Sequence, residues 1–124
     1  MTAVLLVMVG GAVGAPLRYV TDRVVQSRHD QVFPWGTLTV NVAGSLVLGA
    51  LLGLSAVNVL PHWAFTLAGT GFCGALTTFS TFSFETLRLL EEGSPLEAAA
   101  NVVVSLVAGM AAATAGYYVV SWLV

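Results

Sequence analysis

Gly71 to Glu85 reads Gly-Phe-Cys-Gly-Ala-Leu-Thr-Thr-Phe-Ser-Thr-Phe-Ser-Phe-Glu, and it holds the residues best suited to handling an ion. Two glycines, five hydroxyl side chains, three closely spaced phenylalanines and a carboxylate lie inside an otherwise apolar region. In hydrocarbon, every backbone N–H and C=O needs a partner within the protein. Gly71 and Gly74 can break regular helix geometry at that depth, and a break releases carbonyl oxygens, the usual ligands of an alkali cation inside a membrane. At about 100° per residue, Thr77, Ser80 and Thr81 fall in one arc, with Phe79 and Phe82 on the opposite side. A phenyl ring is electropositive at its edge and can face an anion. Hydroxyls and asparagine amides can donate hydrogen bonds to the same anion as it loses water. Core packing, with each hydroxyl returned to its own i−4 carbonyl, fits the same spacing, and spacing alone leaves the two readings level.

Other polar residues fall within apolar segments. Asn41 lies about two turns inside a helix, where an interhelical hydrogen bond and a place on a polar pathway are both open to it. Asn101 and Ser105 share a helix face at i, i+4. Cys73 is the only cysteine, which leaves no internal disulfide and no cysteine cluster for a metal, and its surroundings read as packing. His29 and His62 fall in a polar loop and at a helix entry, where solvation accounts for them. Glu91-Glu92 is the only carboxylate pair and belongs to a turn. With no nucleophile–base pair, no histidine–cysteine–aspartate cluster and no phosphate loop, the chain does not read as an enzyme.

The elements that must position these residues are membrane helices. The 124 residues are 57% hydrophobic and 8% charged, with a mean hydropathy of +0.91; soluble domains carry roughly 25% charged residues. Four segments reach the roughly 20 apolar residues a span requires: about 2–25, 35–57, 62–90 and 95–123. Together they make one transmembrane domain over 1–124. Nothing basic precedes Arg18, so the first segment reads as a retained span rather than a signal peptide. Arg18 and Asp22 are placed to pair near the end of that span. Trp35, Trp63 and Trp122 mark helix ends as interfacial anchors, and Ser94-Pro95-Leu96-Glu97 reads as a capping box with proline at the first helical position. Residues 26–33 form the longest polar loop. Small residues four apart (Gly10 and Gly14; Gly11 and Ala15; Ser45, Gly49 and Gly53; Gly109 and Ala113) predict close helix contacts. Four helices of this size hardly enclose a pore, so an oligomer is expected.

All four basic residues are arginines, Arg18, Arg23, Arg28 and Arg88, and all fall at or near one side of a four-span bundle. By the positive-inside rule that side is cytoplasmic and both termini face outward. A net charge of -2 with no basic patch gives no reason to expect a nucleic-acid partner.

Three ordered motifs then make the chain recognisable. They are Gly10-Gly11-Ala12-Val13-Gly14-Ala15-Pro16-Leu17-Arg18-Tyr19, Trp35-Gly36-Thr37-Leu38-Thr39-Val40-Asn41-Val42-Ala43-Gly44-Ser45, and Gly71-Phe72-Cys73-Gly74-Ala75-Leu76-Thr77-Thr78-Phe79-Ser80-Thr81-Phe82-Ser83. The chain resembles the small bacterial fluoride channels, the Fluc or CrcB family. The resemblance implies an all-α membrane protein of the bacterial inner or plasma membrane, with four transmembrane helices and a broken third helix. It implies an antiparallel, dual-topology dimer with two narrow fluoride pores. It gives Phe79 and Phe82 as ring-edge pore walls, Asn41 as a fluoride donor, and Ser80 and Thr81 as the continuing polar track. It implies that carbonyl oxygens of Gly74 and Thr77 from both subunits hold a structural sodium at the dimer centre. Arg18 and Glu85 match positions that are also polar in relatives, and with Asn101 and Ser105 they are accessory candidates. The chain departs from many relatives at Ala75, where they have a second glycine, and from some at Asn101, where they have tyrosine.

The expected function is passive, fluoride-selective export that lowers cytoplasmic fluoride toxicity. The alternative is a small proton-coupled multidrug exporter, which needs a carboxylate deep in its first helix; here the first acid is Asp22, near that helix's end. A non-transporting anchor gives no reason for the hydroxyl and phenylalanine faces. The one-sided arginines raise a choice of partner, since a subunit that inserts one way would pair with an oppositely oriented paralogue rather than with itself.

Overall fold

The structure, a computed structural model, describes residues 1–29 and 32–124. Asp30 and Gln31, in the middle of the expected polar loop, lie outside the described residues. Helix α1 spans Thr2–Ser27, α2 Trp35–Ala56 and α6 Pro95–Leu123. Each is long and apolar enough to cross a membrane. The third span is divided. Helix α3 (His62–Phe65) runs into a π-helix over Thr66–Cys73 and then a last α-turn, α4 (Gly74–Leu76). Thr77 and Thr78 are extended, with ψ of 157° and 121°, before α5 (Phe79–Glu91) resumes the crossing.

The break therefore falls after the glycines, not at them. Gly71 sits within the wide π-turns, and Gly74 keeps α-helical angles as their C-cap. Gly71 serves close approach instead: α1 packs so tightly on the π-helix that a Cβ on Gly10 would meet the Leu67 carbonyl oxygen, and the Phe72 amide nitrogen at 2.7 Å. Helices α2 and α6 close in the same way. A Cβ on Gly49 would collide with the Ala113 carbonyl, and one on Gly116 with that of Leu46. Small-residue spacing thus becomes backbone contact, which in lipid is a main source of helix association. The core is thin: Val40, Cys73, Leu76, Leu89 and Ala98 are its buried apolar residues, with Thr37, Thr66, Thr78 and Asn101 buried among them.

Three local expectations are corrected. Helix α1 runs through Ser27, so the loop after it is shorter than 26–33. Gln26 instead clasps the chain reversal, its amide donating to the Phe33 carbonyl (3.0 Å) and accepting from the Gly36 amide (3.1 Å). The capping box at Ser94 does not form, because its amide is already spent. Helix α5 ends with Ser94 N–H on the Leu89 carbonyl and Gly93 N–H on that of Leu90, and Gly93 takes a φ of 80°, a Schellman ending. Arg18 and Asp22 form no ion pair; among the described residues the pair that forms is Arg88 with Glu92, at 4.0 Å. Asp22 lies over Gly36 at the first turn of α2, where the helix's free amides favour a carboxylate. The i, i+4 contact on α1 is made one residue along, Arg23 donating to the Tyr19 hydroxyl at 3.2 Å with its guanidinium beside the ring.

Trp35, Trp63 and Trp122 stand at helix ends, all exposed. His29 is exposed, bonded to the Val25 carbonyl and 5.5 Å from the Trp35 ring. His62 is exposed at the start of α3.

Candidate functional site

The break is held open by one side chain from another helix. Asn41, on α2, donates from Nδ2 to the Thr78 carbonyl (3.0 Å) and accepts from the Thr78 amide at Oδ1 (2.7 Å). It replaces the two backbone bonds that a continuous helix would make at Thr78, and so satisfies the backbone where it leaves the helix at membrane depth. One Nδ2 hydrogen remains beyond these bonds. Thr78 then starts α5. Its Oγ1 accepts from the Thr81 amide at 3.1 Å, an N-cap bond, and donates to the Thr81 hydroxyl at 2.9 Å.

Because Thr78 N–H is turned to Asn41 and Thr77 N–H bonds Cys73, neither amide reaches the Gly74 carbonyl, which a continuous helix would have bonded from Thr78. Gly74 is exposed, and a Cβ there would find no atom closer than the Gly69 carbonyl oxygen at 4.0 Å. The donor set left around Gly74 and Thr77 is neutral backbone oxygen, chemistry that suits an alkali cation such as sodium. Among the described residues no cluster of histidine, cysteine or carboxylates could hold a metal. The Thr77 hydroxyl is returned to the Cys73 carbonyl at 2.9 Å. Thr77 ends one helix and Ser80 and Thr81 begin another, so the three do not share a helical arc.

Two cavities meet at Thr78. One, of about 270 Å³, is bounded by Asn41, Ser45, Phe79, Phe82 and Ser105, with Thr77 and Thr78 at the break. The two rings are 5.7 Å apart and tilted by 45°; Phe79 is 78% exposed, so the chain itself covers little of it. The other cavity, of about 180 Å³, is lined by Arg18, Asp22, Thr37, Thr78 and Thr81. Through Asp22 it adjoins an open cleft of about 510 Å³ walled by Arg23, Gln26, Glu85, Arg88 and Glu92. Glu85 accepts a short hydrogen bond from the Thr37 hydroxyl.

The expected site residues thus divide. Asn41, Phe79, Phe82 and Ser105 come together on one side of the break, and Arg18 and Thr81 on the other. Glu85 stands in the cleft beyond. Ser80 lines neither cavity; its hydroxyl lies 3.4 Å from that of Thr78. Asn101 is buried behind Ser105. Two residues of the site, Thr78 and Thr37, stand in the sequence motifs without a role assigned to them. A threonine before a helical run is an N-cap signal and could have found Thr78; nothing local marks Thr37.

With that geometry in view, the known relatives can be placed beside it. A family described as CrcB-like protein, Camphor Resistance (CrcB), matches residues 5–117. The chain belongs to the CrcB family. Among its relatives, the Fluoride-specific ion channel FluC 1 of Streptomyces avermitilis is 60% identical over 92% of this chain and 92% of its own length. FluC 1 of Frankia casuarinae is 57% identical over 90% of this chain and 91% of its own, and FluC 1 of Thermobifida fusca 48% over 98% of each. All three motifs of this CrcB-family chain fall inside the matched segment, and so does the break with both its cavities. The chain is a multi-pass membrane protein.

Proposed function

We propose that this chain is a fluoride-selective channel that exports the ion passively and so lowers its cytoplasmic level. The observation that carries this is the break at Thr77–Thr78, clamped by Asn41 and facing a cavity walled by Phe79 and Phe82, in a chain 60% identical to a fluoride-specific channel. Fluoride is compact and strongly hydrated. A narrow path must replace its water with closely placed donors and ring edges. Asn41 keeps a free amide hydrogen, and Phe79 and Phe82 supply the edges. Thr81, Arg18 and the cleft at Glu85 continue the polar route, with Ser80 beside Thr78 at the turn between them. The mechanism uses no bond-making chemistry, and we read the protein as a channel and not an enzyme. A proton-coupled exporter is not supported, since α1 carries no acid before Asp22.

The exposure of Phe79 and Gly74 supports assembly of two subunits, arranged antiparallel so that matching breaks meet. The Gly74 and Thr77 carbonyl oxygens of both would hold a sodium ion, which when bound supplies the positive charge that joins opposed carbonyl dipoles. The partner is either a second copy or an oppositely oriented paralogue. The cleft gathers Arg23 and Arg88 at one end of the bundle, an asymmetry that favours one insertion direction. A purified self-dimer with robust transport would remove the need for a second gene product.

The test is efflux from liposomes containing the purified protein, fluoride against chloride, with and without sodium. Rapid fluoride efflux with chloride retained is the expected result, lost when sodium is withheld during purification and assay. Equal efflux of both ions, or none of either from a well-assembled dimer, would sink the reading.

A further inference from the structure

We propose that Asn101 is a positioning residue for the ring wall: acting through Thr86, it fixes the turn of α5 that carries Phe82 against α6. The proposal rests on the fluoride-channel reading and adds to it a residue that lines neither cavity.

The observations form a chain of donors running one way. Ser105 Oγ donates to Asn101 Oδ1 at 3.2 Å. Asn101 Nδ2 donates to Thr86 Oγ1 at 2.8 Å. The Thr86 hydroxyl then donates to the Phe82 carbonyl, also at 2.8 Å. Ser105 and Phe82 are both walls of the 270 Å³ cavity, so the chain leaves that cavity on α6 and returns to it on α5. Asn101 is 1% exposed, among the most deeply buried side chains of the molecule. A primary amide there would carry a large desolvation cost unless bonded, and it is bonded on both oxygen and nitrogen.

Helix α5 needs such a tether more than the other spans do. It begins at the break, so no covalent helix continues through its N-terminal end, and its first turn bears Phe79 and Phe82. Thr78 caps that end. The Thr37 hydroxyl of α2 bonds Glu85 farther along, and the Asn101–Thr86 bond is the side-chain hydrogen bond that joins α5 to α6 among the described residues. The Thr86 hydroxyl has a single hydrogen. Holding its oxygen as Asn101's acceptor aims that hydrogen at the Phe82 carbonyl. Asn101 therefore sets the rotation of the Phe82 turn without touching the ring.

The arrangement also fixes the Ser105 hydrogen, which points at Asn101 and away from the cavity. An anion in the cavity must draw that hydrogen from an amide oxygen across a long bond, and a strong acceptor does so more readily than a weak one. Loss of Asn101 should therefore alter discrimination between fluoride and chloride as well as rate.

The test compares Thr86→Val, Asn101→Ala, the double variant and Thr86→Ser in liposomes, with efflux expressed per assembled channel. Thr86→Val and Asn101→Ala should each lower fluoride efflux roughly three- to twentyfold, the range spanned by hydrogen bonds between membrane helices. Their effects should not multiply in the double variant. Thr86→Ser, which keeps the hydroxyl, should recover most of the rate, and the fluoride-to-chloride ratio should fall for Asn101→Ala. A purely structural role would lower the yield of assembled protein and leave the per-channel rate and the ion ratio unchanged, and that result overturns the proposal. So do multiplying effects, or a Thr86→Ser no better than Thr86→Val. If Thr86→Val does not assemble, Asn101→Ser, too short to reach Thr86, carries the comparison; a wild-type rate and ion ratio from it overturns the proposal. Wild-type protein that passes no fluoride would instead mark failure of the channel reading itself.

Discussion

The two cavities that meet at Thr78 are built from opposite materials. The larger is bounded by phenyl rings, small residues and single hydroxyls, with no charged side chain. The smaller holds Arg18 and Asp22 together with three threonines. Both depend on the same few residues, since Asn41 holds the backbone that divides them and Thr78 faces each. On the proposed path, an ion moving between them would exchange long-range charge for short-range donors and ring edges within one turn of chain. The break is thus a boundary between two kinds of electrostatic environment, and one asparagine on another helix maintains it.

Substitutions on either side of the boundary should fail differently. Phe82→Ile removes the ring edge but keeps the volume apolar; fluoride efflux from liposomes should become undetectable while the purified protein elutes as the wild type does. Thr78→Val attacks the boundary itself. It should lower efflux by about tenfold or more and, through the lost N-cap, cost roughly 1 kcal/mol of stability, read from denaturant or thermal melts in detergent. Arg18→Gln acts only on the charged side: efflux should fall several-fold at low ionic strength, and the deficit should shrink at high salt as screening weakens the attraction that Arg18 exerts in the wild type. Gly93→Ala touches neither cavity. It strains a left-handed position and should cost about 1 kcal/mol, with per-channel efflux unchanged. If Arg18→Gln were as severe as Phe82→Ile at every salt concentration, the division between the two sides would be lost.

Much of the fold was legible because lipid imposes simple rules. Hydropathy gave four segments that fall on α1, α2, the divided third span and α6, and small residues four apart marked the seams at Gly10, Gly49 and Gly53. The position of the break was harder to read. Glycine is a local sign of weak helix, and in the sequence that sign stands at Gly71 and Gly74. The backbone in fact departs at Thr77 and Thr78, where Asn41, 37 residues earlier in the chain, offers both a donor and an acceptor. No local pattern carries that information. The Ser94 box failed for a related reason, because an amide that looks free in sequence was already spent by the preceding helix. Thr86 carries no mark in the sequence, because a lone threonine in a helix reads as back-bonded to its own turn; it is back-bonded, and it accepts from Asn101 as well.

The π-helix over Thr66–Cys73 carries a consequence for insertions and deletions. Its wide turns hold more residues per length of axis than an α-helix would. Removing one residue from an uninterrupted α-helix rotates everything downstream by about 100°, whereas removing one here lets the wide turns tighten to α-helical pairing, which absorbs most of that rotation. The Thr78 backbone would then keep most of its facing toward Asn41. The segment with the plainest sequence, small and apolar, therefore holds a slack in length that the regular helices around it lack.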